Sequence, residues 1–553
     1  MGSSKVPAAR RTRSKTGCRT CRARHLKCDE TPVACRNCSS TGRRCDGYDA
    51  QRLPPKLKAA LKQPENQYLS PSSLGTGLDW AMTSDERRCL SYFQFHTVPT
   101  LLEFFDSALW QKLVLEMSRS EPPVYHAIVA LSAIHQNSEE NGMPLATPAP
   151  RAENPWHQFA EDQLARSIKL INQRRTSQDP RLREVILVCC LLFVLADLLR
   201  GFYENAFLHL QSGLRILRDL QLTGPVANPT SRQSLVEQCI VAAFAHLDIL
   251  ATHYDRVFPI LRAHDQHIAH PPNAPTPFHT LPEARIAFDA LLSAAYEFSA
   301  PCMGMTEEQV VASYSVLQAQ QHEVWWQMNQ FTHSFRPFYT TTYHKLSPKE
   351  QRGADIINLH LISLPVCLQT CLLGKNYAAM AHYTSDLETV CTLTEEIMSK
   401  FPERPSFTLE AGVLPPLYLS AILCVEYGIR WRAIELLRSW PHREGPFDSN
   451  WLASLAEEAL RLDLHERCTT EPGFGEMAFV VNGSEGQVTA SAMLQKLTRI
   501  RRQKIDMMLR TKRLESATLD DEWDPLNAVG PVKGMASWSC IKAFPARISI
   551  PHA

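Results

Sequence analysis

The chain has no apolar run long enough to cross a bilayer. Its longest, Val185 to Ala196, spans twelve residues before Asp197 ends it, and a membrane-spanning helix needs about 20. The motifs of common catalysts are also missing. There is no G-x-S-x-G elbow, H-E-x-x-H pair, P-loop glycine-lysine motif or G-x-G-x-x-G turn. Ser, His and Asp form no recognisable constellation, which argues against an enzyme. Strand signals are rare. A heptad seam is absent: between residues 51 and 83 only Leu53, Leu57 and Leu61 keep a helical period before Pro64 interrupts it, far short of the ~3–4 heptads that mark a coiled coil. Net charge is small, +1, but unevenly spread. Residues 1–50 hold twelve Lys/Arg against four Asp/Glu, leaving 46 against 53 in the rest. A basic end on a neutral or acidic body suits nucleic acid.

Six of the 17 cysteines stand together: Cys18, Cys21, Cys28, Cys35, Cys38 and Cys45. They spell C-x2-C-x6-C twice, offset by 17 residues. A segment this short cannot bury enough apolar surface to fold alone. Thiolates in C-x2-C pairs are the usual ligands of structural zinc, which is four-coordinate. Six thiolates are too few for two separate four-cysteine sites and too many for one. The count closes if two Zn²⁺ share two bridging cysteines, and the sequence repeat then becomes a pseudo-twofold axis through the metal pair. A disulfide scaffold would need an oxidising compartment, and no secretory signal precedes the cluster.

The block TGCRTCRARHLKCDETPVACRNCSSTGRRCDGY, residues 16–48, resembles the DNA-binding domain of fungal binuclear zinc cluster transcription factors. The resemblance implies that Cys18 and Cys35 bridge, that Cys21 and Cys28 complete one zinc, and that Cys38 and Cys45 complete the other. It implies double-stranded DNA as partner and CGG-type triplets as target. A short helix after Cys18 would point its C-terminal end into the major groove. Arg24 and His25 would then reach base edges, while Arg22 and Lys27 hold phosphates. Pro32 also fits the pattern. His25 departs from it, since many members have Lys or Arg there. Arg10, Arg11, Arg13 and Lys15 form a flexible basic arm suited to phosphate contact or nuclear import.

The remainder predicts a mostly α protein: basic arm 1–15, cluster 16–48, flexible linker 49–83, large all-helical domain 84–515 and a disordered tail 516–553. The prolines at 54, 55, 64 and 71 oppose regular structure in the linker, so dimerisation is expected through the helical domain if at all. Ser84-Asp85-Glu86 and Glu121-Pro122-Pro123 open helices. Trp156–Arg174 and Tyr203–Leu220 are amphipathic, the latter with Ala206, Leu210, Leu214 and Leu217 inward. Val185–Leu199 is apolar all round, as a central helix would be, and Gly201 is its expected C-cap. Pro- and Gly-rich breaks fall at 141–154, 221–230 and 269–282. Helices resume near 283–299, 306–332, 353–373, 376–400, 413–425, 430–439 and 450–463. Residues 93–135, 201–217 and 415–440 resemble the fungal-specific transcription factor domain, an all-helical regulatory region, over roughly residues 90 to 460.

Other features carry plainer readings. Cysteines outside the cluster, including Cys189, Cys190, Cys367 and Cys371, are expected as reduced core thiols. His126, His135, His209 and His246 are expected to be packed or hydrogen-bonded. His264, His267, His270 and His279 with Asp265 read as a proline-broken polar loop rather than a metal site. Leu519–Asp524 is acidic and aromatic, either an activation motif or a plain acidic end. Two function classes remain: a nuclear, sequence-specific DNA-binding transcription regulator that engages co-regulators or the transcription machinery, and a helical interaction scaffold with a structural zinc cluster.

Overall fold

The computed structural model describes residues 17–29, 35–43, 45, 53, 80, 82–141, 154–177, 179, 181–223, 235–251, 277–373, 377–401, 404–481 and 485–513. The basic arm, Pro32, most of the linker, the histidine-rich loop apart from His279, and the acidic segment with its tail lie outside the described residues.

Two short helices, α1 (Arg19–Ala23) and α2 (Arg36–Ser39), belong to the cysteine block. The body opens with α3 (Ser84–Tyr92), whose start is set by local chemistry. Thr83 Oγ1 accepts the Glu86 amide at 3.2 Å, and Glu86 Oε2 accepts the Thr83 amide at 2.8 Å. Such reciprocal capping satisfies two amides that the helix itself leaves unpaired. After α4 (Val98–Leu101) and α5 (Val114–Ser120) comes a three-layer stack. Helix α6 (Pro122–Asn141) lies between α7 (Pro155–Gln173) and α8 (Leu182–Arg200), and α8 is backed by α9 (Tyr203–Thr223) and α10 (Leu235–Ala251). The all-apolar segment is thus a central helix, as its lack of a polar face requires. It stops at Gly201, whose φ is +74°. The Phe202 amide reaches back to the Asp197 carbonyl at 2.8 Å, the long bond of a left-handed helix end. Ala206, Leu210, Leu214 and Leu217 of α9 are all buried.

The second half is built from α11 (Leu281–Met303), α12 (Glu307–Ala312), α13 (Tyr314–Thr342), α14 (Pro348–Thr370), α15 (Tyr377–Met380), α16 (Thr384–Ser399), α17 (Leu414–Leu423), α18 (Tyr427–Ser439), α19 (Ser449–Thr470) and α20 (Ala490–Arg513). Helix α11 packs on α13 and α14. Helices α16 to α20 pack in sequence, each against its neighbour. Helix α13 runs ten residues past the expected end at 332. Pro337 lies inside it, and Phe335 and Phe338 are buried on either side; their packing outweighs the ~3 kcal/mol a proline costs a helix. Helix α11 likewise continues through Pro301. The body is not helical throughout. Strands β1 (Phe407–Thr408), β2 (Arg443–Glu444) and β3 (Phe447–Asp448) form a small sheet, with β1 parallel and β3 antiparallel to β2. Strands β4 (Ala478–Val481) and β5 (Glu485–Thr489) form an antiparallel hairpin. The two-residue strands β1 to β3 carry too few residues to show a period of two.

Residues 406–414 join the two halves. His135 of α6 reaches Thr97 Oγ1 at 3.0 Å and Ser406 Oγ at 3.1 Å. His246 of α10 donates to the Leu409 carbonyl at 3.0 Å. His360 of α14 donates to the carbonyls of Ala411 and Gly412 at 3.1 and 2.9 Å. The buried Glu444 carboxylate accepts the amides of Gly412, Val413 and Leu414 at 2.8, 2.7 and 3.0 Å, at the first turn of α17. Histidines expected to be packed or hydrogen-bonded are so placed, including His126, which meets Gln163 Oε1 at 2.6 Å.

His360 makes stability pH-dependent. Burial pushes its pKa down to about 4, against about 6.5 in an unfolded chain. Between those values the unfolded state binds the extra proton, so stability is full above about pH 6.5 and falls as pH drops toward 4. The limit is about 3 kcal/mol. In urea unfolding at pH 7.5 and pH 5, His360→Gln is expected to show a shallower pH dependence than the parent chain; an identical dependence would contradict this.

Candidate metal centre and nucleic-acid interface

The 17-residue sequence repeat is a structural repeat. Cys18 caps α1 and its sulfur accepts the Cys21 amide at 3.3 Å; Cys35 caps α2 and its sulfur accepts the Cys38 amide at 3.4 Å. The Cys18 amide donates to Cys28 Sγ at 3.3 Å, and the Cys35 amide to Cys45 Sγ at 3.4 Å. Each short helix then closes alike: Leu26 N–H to the Cys21 carbonyl at 2.9 Å, Arg43 N–H to the Cys38 carbonyl at 3.0 Å. The closure needs a left-handed residue. In the second half that residue is Gly42, φ +65°; in the first it is His25, φ +57°. A β-carbon is strained there, so His25 holds its place despite its backbone.

The sulfurs converge as two quartets, Cys18/Cys21/Cys28/Cys35 and Cys18/Cys35/Cys38/Cys45, each with its ligand atoms within 4.8 Å of one another. Cys18 and Cys35 belong to both. Their sulfurs are 3.5 Å apart, and Cys18 and Cys38 are 3.8 Å apart. Tetrahedral zinc with bonds of ~2.3 Å spaces its sulfurs by about 3.8 Å, so the donor set fits that ion. Burial drives the Cys18, Cys21 and Cys35 thiols above their usual pKa. Thiolates packed this closely need a cation among them. Bound zinc supplies that charge and a fixed tetrahedral geometry.

Asp29 ties the halves together. Its carboxylate accepts the amides of Arg36 and Asn37 at 3.0 and 3.2 Å, at the start of α2. An acceptor there offsets unpaired amides and the positive helix end. The sequence reading overlooked this residue, although an acidic group after the third cysteine was its signal.

Around α1 the basic residues take graded positions. Arg22 and Arg24 are half-buried at its last turn, while His25 and Lys27 are exposed and flank Leu26, itself 46% exposed. Cations at a helix C-terminus favour the helix dipole. The four expected DNA-contact residues thus lie in the last turn of α1 or directly after it.

Residues 16–54 match the fungal Zn(2)-Cys(6) binuclear cluster domain, and residues 88–271 match the fungal specific transcription factor domain. The chain is a fungal zinc cluster transcription regulator. The regulator is similar to a cluster-specific transcription regulator of aspercryptin biosynthesis from Emericella nidulans, at 25% identity over 83% of this chain and 88% of that protein. A transcription regulator from Purpureocillium lilacinum is 23% identical over 36% of this chain and 48% of its own. A transcriptional regulatory protein from Schizosaccharomyces pombe is 36% identical over 17% and 19%. No solved structure matches. As a zinc cluster regulator the chain binds DNA in a sequence-specific manner and carries two zinc ions on six cysteines. Its family is not generally enzymatic. No helix among the described residues is long and apolar enough to cross a membrane.

Proposed function

We propose that this regulator acts in the nucleus by reading CGG-type triplets through α1 and the loop after it, while the helical body engages co-regulators or the transcription machinery. The reading is supported above all by one observation: two sulfur quartets that share Cys18 and Cys35 hold α1, with half-buried Arg22 and Arg24 at its end and exposed His25 and Lys27 directly after it. Cys18 and Cys35 bridge the two ions, Cys21 and Cys28 complete one, and Cys38 and Cys45 complete the other. Arg24 and His25 read base edges; Arg22 and Lys27 hold phosphates. A guanidinium can bond guanine O6 and N7 together, worth ~1–3 kcal/mol of discrimination, whereas phosphate contacts position without selecting sequence. Arg10, Arg11, Arg13 and Lys15 add phosphate contacts or serve nuclear import. Any homodimer forms through the helical body.

Selection of duplexes from a random pool tests the residue roles. Arg24→Ala is expected to lower preference for the selected triplet by roughly 5–150-fold. Arg22→Ala is expected to weaken all sequences alike. An unchanged preference in Arg24→Ala would overturn the assignment.

A further inference from the structure

Helix α20 carries the strongest concentration of positive charge in the body. Residues 490–513 hold eight Lys/Arg against one acid, Asp506. The rest of the chain after residue 50 holds 38 against 52. One side of α20 is committed to the body: Met493 and Leu497 are buried, and Leu494 and Ile500 pack against the core. Arg501 pairs with Glu458 at 3.5 Å, and Lys504 pairs with Glu457 and reaches Ser454 Oγ at 3.0 Å, all on α19. Lys496 lies over the Trp431 ring at 4.4 Å.

The opposite side is different. Arg499 and Arg502 are exposed and have no partner among the described residues. At 3.6 residues per turn, helix positions 499, 502, 510 and 513 fall within about 60° of position 499, and they span about 21 Å of helix. A row of basic helix positions of that length, with Arg499 and Arg502 exposed on an otherwise acidic body, matches an extended polyanion. An import receptor takes an unfolded basic peptide; this stripe is folded and docked through Met493 and Leu497. An acidic protein segment would need matching side chains over the same length, whereas a duplex offers one phosphate per ~1.7 Å of axis along its whole course, and this regulator already holds a duplex through its zinc cluster.

We propose that the exposed face of α20 is a second DNA contact, in which Arg499 and Arg502 bind backbone phosphates of the duplex flanking the site held by the cluster. The contact is independent of base sequence. It rests on DNA binding by this chain, not on which triplet is read.

The test measures the affinity of the full chain against salt on two duplexes. One is just long enough for the selected site; the other is extended by about three helical turns on each side. On the extended duplex, Arg499→Gln/Arg502→Gln is expected to reduce the slope of log K against log salt by ~1.8, about 0.9 for each lost phosphate contact. On the short duplex the slopes of parent and variant should agree. Both residues are exposed, so the thermal midpoint should not move. An unchanged slope on the extended duplex overturns the proposal, as does the same reduction on both duplexes. Loss of binding to an acidic peptide with the DNA slope intact would instead assign the face to protein. A cluster that reads some other triplet changes which site is selected and leaves the slopes alone, so the two failures are distinguishable.

Discussion

Cys35→Ala, or Cys18→Ala, is expected to strip both zinc ions from the chain and abolish sequence-specific DNA binding. Each of these sulfurs belongs to both quartets, so one substitution leaves each ion with three protein ligands. Each also caps a helix: Cys18 Sγ accepts the Cys21 amide and Cys35 Sγ the Cys38 amide. Loss of the sulfur therefore removes a metal ligand and a helix start together. In small zinc modules metal binding supplies the folding energy, on the order of 10–16 kcal/mol per structural ion. Specific binding exceeds non-specific by at least about 10³-fold in typical regulators, and that margin is what should disappear. Cys45→Ala provides the contrast. Cys45 belongs to one quartet only and is less buried than the others, so one ion should remain. Metal analysis of the purified chain, paired with titration of a specific duplex, reads both effects. Retention of one full zinc equivalent and wild-type affinity in Cys35→Ala would contradict the shared-thiolate arrangement.

Glu444→Ala should destabilise the helical body by roughly 3–5 kcal/mol, the range for removing one partner of a buried charged network. Glu444 is fully buried. Its carboxylate takes three consecutive amides at the start of α17 and faces His442 Nε2 at 3.0 Å. Truncation leaves those amides without acceptors and opens a cavity, and each unsatisfied buried donor costs about 1–3 kcal/mol. The seat is close-fitting: a β-carbon on Gly412 would stand 2.6 Å from Glu444 Oε1, which is why glycine occupies that position. Urea unfolding followed by far-UV circular dichroism measures the loss. A change below about 1 kcal/mol would show that water replaces the carboxylate, and would contradict a sealed hub at 406–414.

The two predictions differ in how far ahead the sequence announces them. The zinc cluster is a local code. All six cysteines lie within 28 residues. Their number and repeat call for two ions with shared ligands, and the family resemblance implies which cysteines are shared. The 17-residue offset became matched hydrogen bonds in both halves. The long central helix and its Gly201 stop were equally readable, because an apolar run and a glycine act through their immediate neighbours. The hub at 406–414 was not. His135 and Ser406 are 271 positions apart, and Glu444 meets the amides of Gly412 to Leu414 across a loop; no period or motif relates them. Buried histidines were expected to find partners, but which ones depends on tertiary packing. The continuation of α11 and α13 through proline has the same origin, since buried aromatic side chains on α13 outweigh a local signal. Asp29 falls between these cases. It acts across only seven residues, yet its role depends on the metal-linked fold bringing α2 to it.

Sequence selection by the intact regulator addresses the functional claim most directly. The full chain, loaded with zinc, is offered a random pool of duplexes, and the bound fraction is sequenced at physiological salt. Enrichment of CGG-type triplets, lost when zinc is chelated and weakened in Arg24→Ala, is the expected result. A bound pool without any preferred triplet, or a preference that persists after zinc is removed, would contradict it.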